Sequence, residues 1–177
     1  VAVAGLFELA QLPYTGSDPA ALALALDKAR AKAVLAHAGV PTPRAALMVA
    51  RERTLPAGLR FPLIVKPARE DGSLGIEDAA VVHDEDALFA RVAWVDEHFS
   101  QPALVEEYVD GRELNVAVLG DGDGRFPLPI AEIDFSGMTA GRPRILSFDA
   151  KWREESLEFR ATVPVVPAPL PEATAER

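Results

Sequence analysis

The sequence contains no cysteine, only three histidines, and no apolar run long enough to cross a membrane. Without cysteine, disulfide frameworks, thiolate catalysis and sulfur-ligated metal centres are excluded. The apolar run over 20–26 is far shorter than the about 20 residues that a membrane helix needs. His37, His83 and His98 lack metal-ligand spacing, so we expect each at the surface or at a helix end. These absences suit a reducing compartment, and we expect the cytoplasm.

Charge and composition narrow the range of partners. The 177 residues include 18 Lys and Arg against 27 Asp and Glu, which gives a formal net charge of −9. A negative field opposes binding to a phosphate backbone, so we expect no nucleic-acid partner. Because the sequence has no apolar run long enough to span a membrane, we also expect no membrane partner. Hydrophobic residues form 49% of the chain and charged residues 25%, which is typical of globular proteins with a core. The length suits one sizeable domain or two small ones.

Hydrophobic periodicity alternates along the chain between the helical pattern and the strand pattern. It predicts helices over 1–11, 20–38 and 84–95, and strands over 46–49, 61–65, 79–82, 103–109, 113–119 and 128–135. Gly39 suits the left-handed end of the second helix, and Asp84 suits the N-cap of the third. The last dozen residues are rich in proline and predict a linker or frayed end. The chain is therefore expected to be mixed α and β.

One acidic turn resembles a metal loop in part. Asp121, Asp123 and Glu132 occupy the first, third and twelfth positions of an EF-hand loop. However, Phe126 stands where that loop needs glycine, and the flanking segments predict strands rather than helices. We therefore predict a hairpin turn and assign no metal ligand in the chain.

A lysine followed by a glycine-containing loop has the features of an anion site. Lys66 ends a predicted buried strand, so its stem would be packed and its ammonium aimed at a fixed point. In the loop over 69–75, Gly72 and Gly75 supply backbone freedom, Ser73 supplies a hydroxyl, and backbone N–H groups can face an anion. The same residues also suit a solvent-exposed lysine and an ordinary hairpin loop.

A second segment suits recognition of a purine nucleoside. In an extended chain, the backbone at Glu106 and Val109 can present alternating acceptors and donors to a base edge, and Glu113 can accept hydrogen bonds from ribose hydroxyls. The alternative is that these acidic residues decorate the solvated face of an edge strand.

Six segments together resemble the ATP-grasp ligases, and among them the D-alanine–D-alanine ligases and their relatives. They are residues 14–17 (YTGS), 26–28 (LDK), 39–43 (GVPTP), 65–70 (VKPARE), 105–113 (VEEYVDGRE) and 149–152 (DAKW). The resemblance implies an α+β chain with the ATP-grasp fold, in which two α+β subdomains clamp a nucleotide. It implies a remnant of a preceding substrate domain at 1–16, a first subdomain with the lid loop at 17–102, and an incomplete second subdomain with an Ω-loop at 103–177.

The resemblance also implies an activity: ATP-dependent joining of a carboxylate to an amine through an acyl-phosphate. In it, Lys28 and Lys66 hold the α- and β-phosphates of ATP, and Lys151 neutralises the transferred phosphate. Taken by itself, Lys28 is equally explained as one half of an exposed helical pair with Lys32. The lid that closes over the phosphates contains Arg69, Glu70, Gly72, Ser73 and Gly75, and Ser73 and Lys151 are the expected catalytic residues.

The same resemblance assigns the purine slot. Glu106 binds the adenine amino group, the Val109 backbone contacts the ring edge, and Glu113 binds the ribose. Glu107 and Tyr108 complete this segment.

The sequence also departs from the family pattern. Dipeptide-forming members have Glu-Gly-Ser-Ser in the lid, whereas here Glu70 precedes Asp71-Gly72-Ser73. Trp152 stands where a tyrosine usually follows the Ω-loop lysine. We therefore expect an amide ligase that resembles the D-alanine–D-alanine ligases, and both D-alanine and other amino acids stay open as its substrates.

The chain is expected to be the central part of a longer ligase, truncated at both ends and weakly active alone. The family's Mg²⁺ ligands are expected downstream of residue 177. Two alternatives stay open, a non-catalytic nucleotide-binding module of the same fold and a plain interaction domain. The resemblance also allows a homodimer.

Overall fold

The structure is a computed structural model that describes residues 1–120 and 124–175. It divides into two compact units, Val1–Val109 and Asp110–Arg177. The predicted boundary lies at 102/103, whereas the two units part at 109/110. Asp121 and Asp123 of the predicted hairpin turn lie outside the described residues.

The first unit contains four helices. They are α1 (Ala2–Leu9), α2 (Pro19–Leu26), α3 (Lys28–His37) and α4 (Glu85–Phe99). The prediction of one helix over 20–38 is wrong, because Asp27 leaves the helical conformation (φ −83°, ψ 93°) and its carboxylate accepts a hydrogen bond from Arg30 N as the N-cap of α3. Gly39 follows α3 with φ +75°, as predicted. In the described part of the chain, no helix has both the length and the apolar character needed to cross a membrane.

A four-stranded antiparallel sheet forms the centre of the first unit. Its strands are β1 (Ala45–Met48), β2 (Leu63–Pro67), β3 (Val81–Val82) and β4 (Ala103–Glu107), in the order β1-β4-β2-β3. A short 3₁₀ turn over Asp78–Ala80 takes the place of the first half of the predicted strand 79–82. Since β4 pairs with β1 on one side and β2 on the other, the alternative that placed Glu106 on an edge strand is wrong.

One face of this sheet packs against α4. Leu63, Val65 and Val105 of the sheet and Leu88 and Val95 of the helix are all completely buried. Burying each of these side chains stabilises the fold by about 1.5–3 kcal/mol relative to exposure. The Asp84 carboxylate caps α4 by accepting a hydrogen bond from Ala87 N at 2.8 Å, as predicted.

Over residues 110–120 and 124–175, the second unit contains five strands and three short helices. They are β5 (Glu113–Asn115), β6 (Val118–Leu119), β7 (Phe126–Pro127), β8 (Ala131–Asp134), α5 (Phe148–Trp152), α6 (Leu157–Ala161), β9 (Val163–Val165) and α7 (Glu172–Ala175). Strands β5, β8 and β9 form one antiparallel sheet, and β6 pairs with β7. The predicted strand over 113–119 is therefore two strands. Strand β9, whose Val163 pairs with Asp134, ends just before the last dozen residues, and α7 lies within them.

Candidate functional site

The sheet face turned away from α4 carries the predicted lysine and the predicted acid. In antiparallel strands, directly opposed residues point to the same side, and side chains alternate between faces along each strand. Ile64 opposes Glu106, and Lys66 opposes Leu104. Lys66 and Glu106 therefore share a face on which Ile64 and Leu104 supply an apolar floor. This arrangement places a cation and an anion on a water-poor surface.

Glu106 lies at the centre of this face, and its side chain is buried. Lys66 Nζ donates a hydrogen bond to Glu106 Oε1, and Lys32 Nζ donates to Oε2 at 2.8 Å. Burial acts to raise the pKa of Glu106, but the charges and hydrogen bonds of Lys66 and Lys32 outweigh it and hold that pKa below its ordinary value. The carboxylate is therefore ionised at neutral pH and can still accept further hydrogen bonds.

Lys28 occupies the first turn of α3, next to the end of β2. Its backbone N–H donates to Ala68 O at 3.0 Å, while its Nζ donates to Pro67 O at 3.1 Å and to Glu70 O. Burial, followed by the nearby Lys66 ammonium, lowers the pKa of Lys28. Its ammonium is thus held by carbonyl groups at the start of the glycine-containing loop.

Lys32 is a site residue that the sequence interpretation missed. It lies one turn after Lys28 on α3, and its side chain is mostly buried against Glu106. The alternative of an exposed Lys28–Lys32 pair is therefore wrong. The available signal was the four-residue spacing, which puts both lysines on one helix face. Lys32 and Lys66 bring two ammonium groups to the Glu106 carboxylate. Lys28 lies near them, where its ammonium interacts with Lys66 and with the carboxylates of Glu70, Asp71 and Glu106.

The loop after Lys66 is built from tight turns. Gly72 and Ser73 have φ values of +58° and +61°, so two consecutive residues lie in the left-handed region. Leu74 N donates to Asp71 O, and Ile76 N donates to Ser73 O. Those two N–H groups are therefore used inside the loop, whereas the sequence interpretation expected the loop's N–H groups to face an anion.

Gln101 anchors the first end of this loop. Its side chain is buried, and its Oε1 accepts a hydrogen bond from Arg69 N at 2.6 Å. Its Nε2 donates to Glu70 Oε1 at 2.8 Å. One amide thus fixes both the backbone and the carboxylate at the start of the loop.

Arg91 anchors the second end. This buried α4 residue donates from Nη2 to Gly75 O at 2.8 Å and from Nη1 to Glu77 Oε1 at 2.6 Å, and its guanidinium stacks on Trp94. Gly75 has φ +71°, and a Cβ there would lie 2.8 Å from Pro67 Cγ and 3.0 Å from the Phe99 ring. Both ends of the loop are therefore held, and residues 71–74 lie between the anchors.

The other predicted site residues have the following positions. Glu107 points to the opposite sheet face from Glu106. The backbone N–H of Glu107 donates a hydrogen bond to Arg44 O, and that of Tyr108 donates to Pro62 O. Val109 is 68% exposed and ends the first unit. Glu113 on β5 and Lys151 on α5 belong to the second unit. Their participation in a site with Lys66 stays a prediction.

The described acidic and histidine side chains lie too far apart to hold Mg²⁺ together. Among residues 1–120 and 124–175, no group of three or more His, Cys, Asp or Glu side chains is placed to hold a metal ion. The described residues therefore do not form a magnesium site.

Comparison with known proteins gives concordant results. A family model described as "D-ala D-ala ligase C-terminus" matches residues 35–177. The chain is 37% identical over 170 residues to the D-alanine–D-alanine ligase of Syntrophotalea carbinolica, a match that covers 96% of this chain and 50% of that protein.

Two solved structures have the same fold. The VanG D-Ala:D-Ser ligase from Enterococcus faecalis has a TM-score of 0.73 at 26% identity, covering 98% of this chain and 48% of its own. The D-alanine–D-alanine ligase from Bacillus anthracis, solved with ATP, has a TM-score of 0.68 at 25% identity, covering 99% and 50%. The chain spans about half the length of the relatives it matches. It belongs to the D-alanine–D-alanine ligase family and has the α+β ATP-grasp fold, as the six sequence segments predicted.

Proposed function

We propose that the protein carrying this chain is an ATP-dependent ligase that joins the carboxylate of one amino-acid-like substrate to the amine of another. The observation that carries the proposal is the contact of one buried, ionised carboxylate, Glu106, with two lysines, Lys32 and Lys66, on an apolar sheet face beside an anchored glycine-containing loop. Relatives named as D-alanine–D-alanine ligases support this reaction class.

In this proposal, Lys28 and Lys66 hold the α- and β-phosphates of ATP. Both ammonium groups lie at the end of β2, where partial burial strengthens their attraction for an anion. The loop over 69–75 covers the phosphates. Its anchors, Gln101 and Arg91, would limit movement to residues 71–74, so that closure costs little ordering entropy.

Glu106 would accept a hydrogen bond from the amino group of adenine, above the floor formed by Ile64 and Leu104. Val109 would offer its backbone to the ring edge and Glu113 its carboxylate to the ribose. Glu107 and Tyr108, whose backbone N–H groups bind other carbonyls, would set the path of the chain towards Val109.

The reaction would proceed in two steps. A carboxylate oxygen of the first substrate attacks the γ-phosphorus, the bond to the bridging oxygen breaks, and ADP leaves with an acyl-phosphate formed. The amine of the second substrate then attacks the carbonyl carbon, the bond from that carbon to the phosphate oxygen breaks, and phosphate leaves while the nitrogen loses a proton to solvent. Lys151 would neutralise the transferred phosphoryl group, and the Ser73 hydroxyl would orient it.

The substrates proposed are small amino acids, and Gly72 and Trp152 leave open whether D-alanine is among them. Neither residue matches the family's usual lid and Ω-loop pattern. The Mg²⁺ that the family uses, a homodimer and a cytoplasmic location stay predictions.

The test is a screen of amino-acid pairs for ATP-dependent phosphate release by the complete protein that carries this sequence. We expect release that depends on both amino acids and is lost in Lys66→Ala. Arg30→Ala is the matched control, because Arg30 lies on α3 with a side chain 79% exposed. ATP binding without release in any pair would instead support the non-catalytic nucleotide-binding module. Full release by Lys66→Ala would contradict the proposal.

A further inference from the structure

We propose that Lys32 is a positioning residue for nucleotide selection: it holds the Glu106 carboxylate in the orientation that accepts a hydrogen bond from a purine amino group. This inference rests on the nucleotide binding proposed above. It adds a role for a residue that no sequence motif singled out.

The geometry separates Lys32 from the two phosphate-directed lysines. Lys28 Nζ binds carbonyl oxygens at the start of the loop, whereas Lys32 Nζ binds Glu106 Oε2 at 2.8 Å. The side chains of Lys32 and Glu106 are only 17% and 11% exposed, so their pairing is poorly screened by solvent. Lys32 is therefore directed at the carboxylate rather than at open solvent.

Lys32 matters most when a nucleotide is present. In the structure, each Glu106 oxygen has its own ammonium partner, Lys66 on Oε1 and Lys32 on Oε2. If Lys66 turns part of its hydrogen-bonding capacity to a phosphate, Lys32 is the partner that keeps the carboxylate oriented. Without Lys32, the buried Glu106 carboxylate would keep only Lys66 as a partner and would share it with the phosphate. The Glu106 side chain could then adopt more than one rotamer.

Glu106 can distinguish purine bases because its ionised carboxylate only accepts hydrogen bonds. A carboxylate has about four lone-pair positions, and two ammonium groups leave about two of them for further donors. An ionised carboxylate has no hydrogen to donate, so a purine with a 6-amino group is attracted and a purine with a 6-oxo group is repelled. Holding Glu106 in place therefore favours ATP over ITP.

The experiment compares ATP and ITP affinities, measured by calorimetry on the complete protein and on its Lys32→Met, Lys32→Arg and Arg30→Met variants. For Lys32→Met we expect about a tenfold loss of ATP affinity with little change for ITP. Lys32→Arg should retain most of the preference, because it restores a charged donor to Oε2. Arg30→Met, on the exposed side of the same helix, should match the wild type.

Glu106→Gln completes a double-mutant cycle. If Lys32 acts through Glu106, adding Lys32→Met to Glu106→Gln should cause no further change in the ATP-to-ITP ratio. Lys32→Gln, which keeps a neutral donor, should give an intermediate ratio and serves if Lys32→Met does not fold.

Two outcomes would overturn the inference. Equal weakening of ATP and ITP by Lys32→Met would mean that Lys32 contacts phosphate or acts only in folding, and unchanged affinities for both nucleotides would mean that Lys32 has no role in binding them. The proposed function is judged separately by the wild-type protein, since failure to bind either nucleotide would remove both claims at once.

Discussion

Lys66 and Glu106 are 40 positions apart in the sequence, yet Lys66 Nζ donates a hydrogen bond to Glu106 Oε1 across the neighbouring strands β2 and β4. The contact forms because antiparallel register places the two residues diagonally on the same sheet face. The opposite face is covered by α4, whereas on this face Lys32 of α3 lies against Glu106. The lysine and the acid that the sequence assigned to phosphate and adenine thus share one surface.

The pairing of Glu106 predicts an acid-sensitive contribution to stability. Because its pKa is held below the ordinary value in the folded protein, Glu106 stabilises the fold above the unfolded pKa and loses this effect as pH falls through the folded pKa. At pH 7 we expect Glu106→Gln to lower the free energy of unfolding by about 1–3 kcal/mol. In urea titrations, that difference from the wild type should shrink below about pH 4.

The matched control for that titration is Glu97→Gln, an exposed position on α4. It should change the free energy of unfolding little at any pH. A Glu106→Gln difference that stays constant from pH 7 to pH 3 would argue against an ionised, paired carboxylate.

Alanine should be more destabilising at Gly75 than at Gly39, a glycine with a similar backbone conformation. Gly75 and Gly39 have φ values of +71° and +75°, but a Cβ at Gly75 would meet Pro67 and Phe99, whereas nothing lies within 4 Å of one at Gly39. Both alanine variants pay the strain of a left-handed backbone, about 1–2 kcal/mol. Gly75→Ala should lose about 1–3 kcal/mol more through overpacking, measured as the urea midpoint. Equal losses in the two variants would show that the space beside Gly75 is not tight.

A negative charge at position 101 should loosen the start of the loop over 69–75. Gln101→Glu removes the donor to Glu70 and turns a carboxylate towards another carboxylate, in a buried position. The new carboxylate can still accept the hydrogen bond from Arg69 N, so the loss falls on the contact with Glu70. We expect a destabilisation of about 1–3 kcal/mol at pH 7, measured as the urea midpoint. Gln101→Met removes both hydrogen bonds and should also speed hydrogen exchange at Arg69 N. Unchanged exchange at Arg69 N in Gln101→Met would contradict the anchoring role of Gln101.

Elements with a strong local pattern were predictable from the sequence. Leu88, Arg91 and Val92 fall on one helix face, and all three are buried in α4. The apolar run before Lys66 correctly predicted a buried strand that carries the lysine at its end. The break between α2 and α3 was missed although Asp27 is a signal for it, because Asp favours helix N-caps over helix interiors and here caps α3.

Contacts between distant segments were not predictable. Lys32 meets Glu106 74 positions away, and Gln101 meets Glu70 31 positions away. Nothing in the local sequence of a helical lysine or a loop glutamine reports such a partner, because strand order and register decide it. The position of β4 inside the sheet, between β1 and β2, likewise depends on strand order and could not be read from its local sequence.

The most direct measurement is titration of the complete protein with ATP and Mg²⁺ by calorimetry, for the wild type, Lys66→Ala and the control Arg30→Ala. The account predicts saturable binding by the wild type and by Arg30→Ala, and at least about a tenfold weaker affinity for Lys66→Ala. Wild-type affinity in Lys66→Ala would contradict the claim that this sheet face binds the nucleotide.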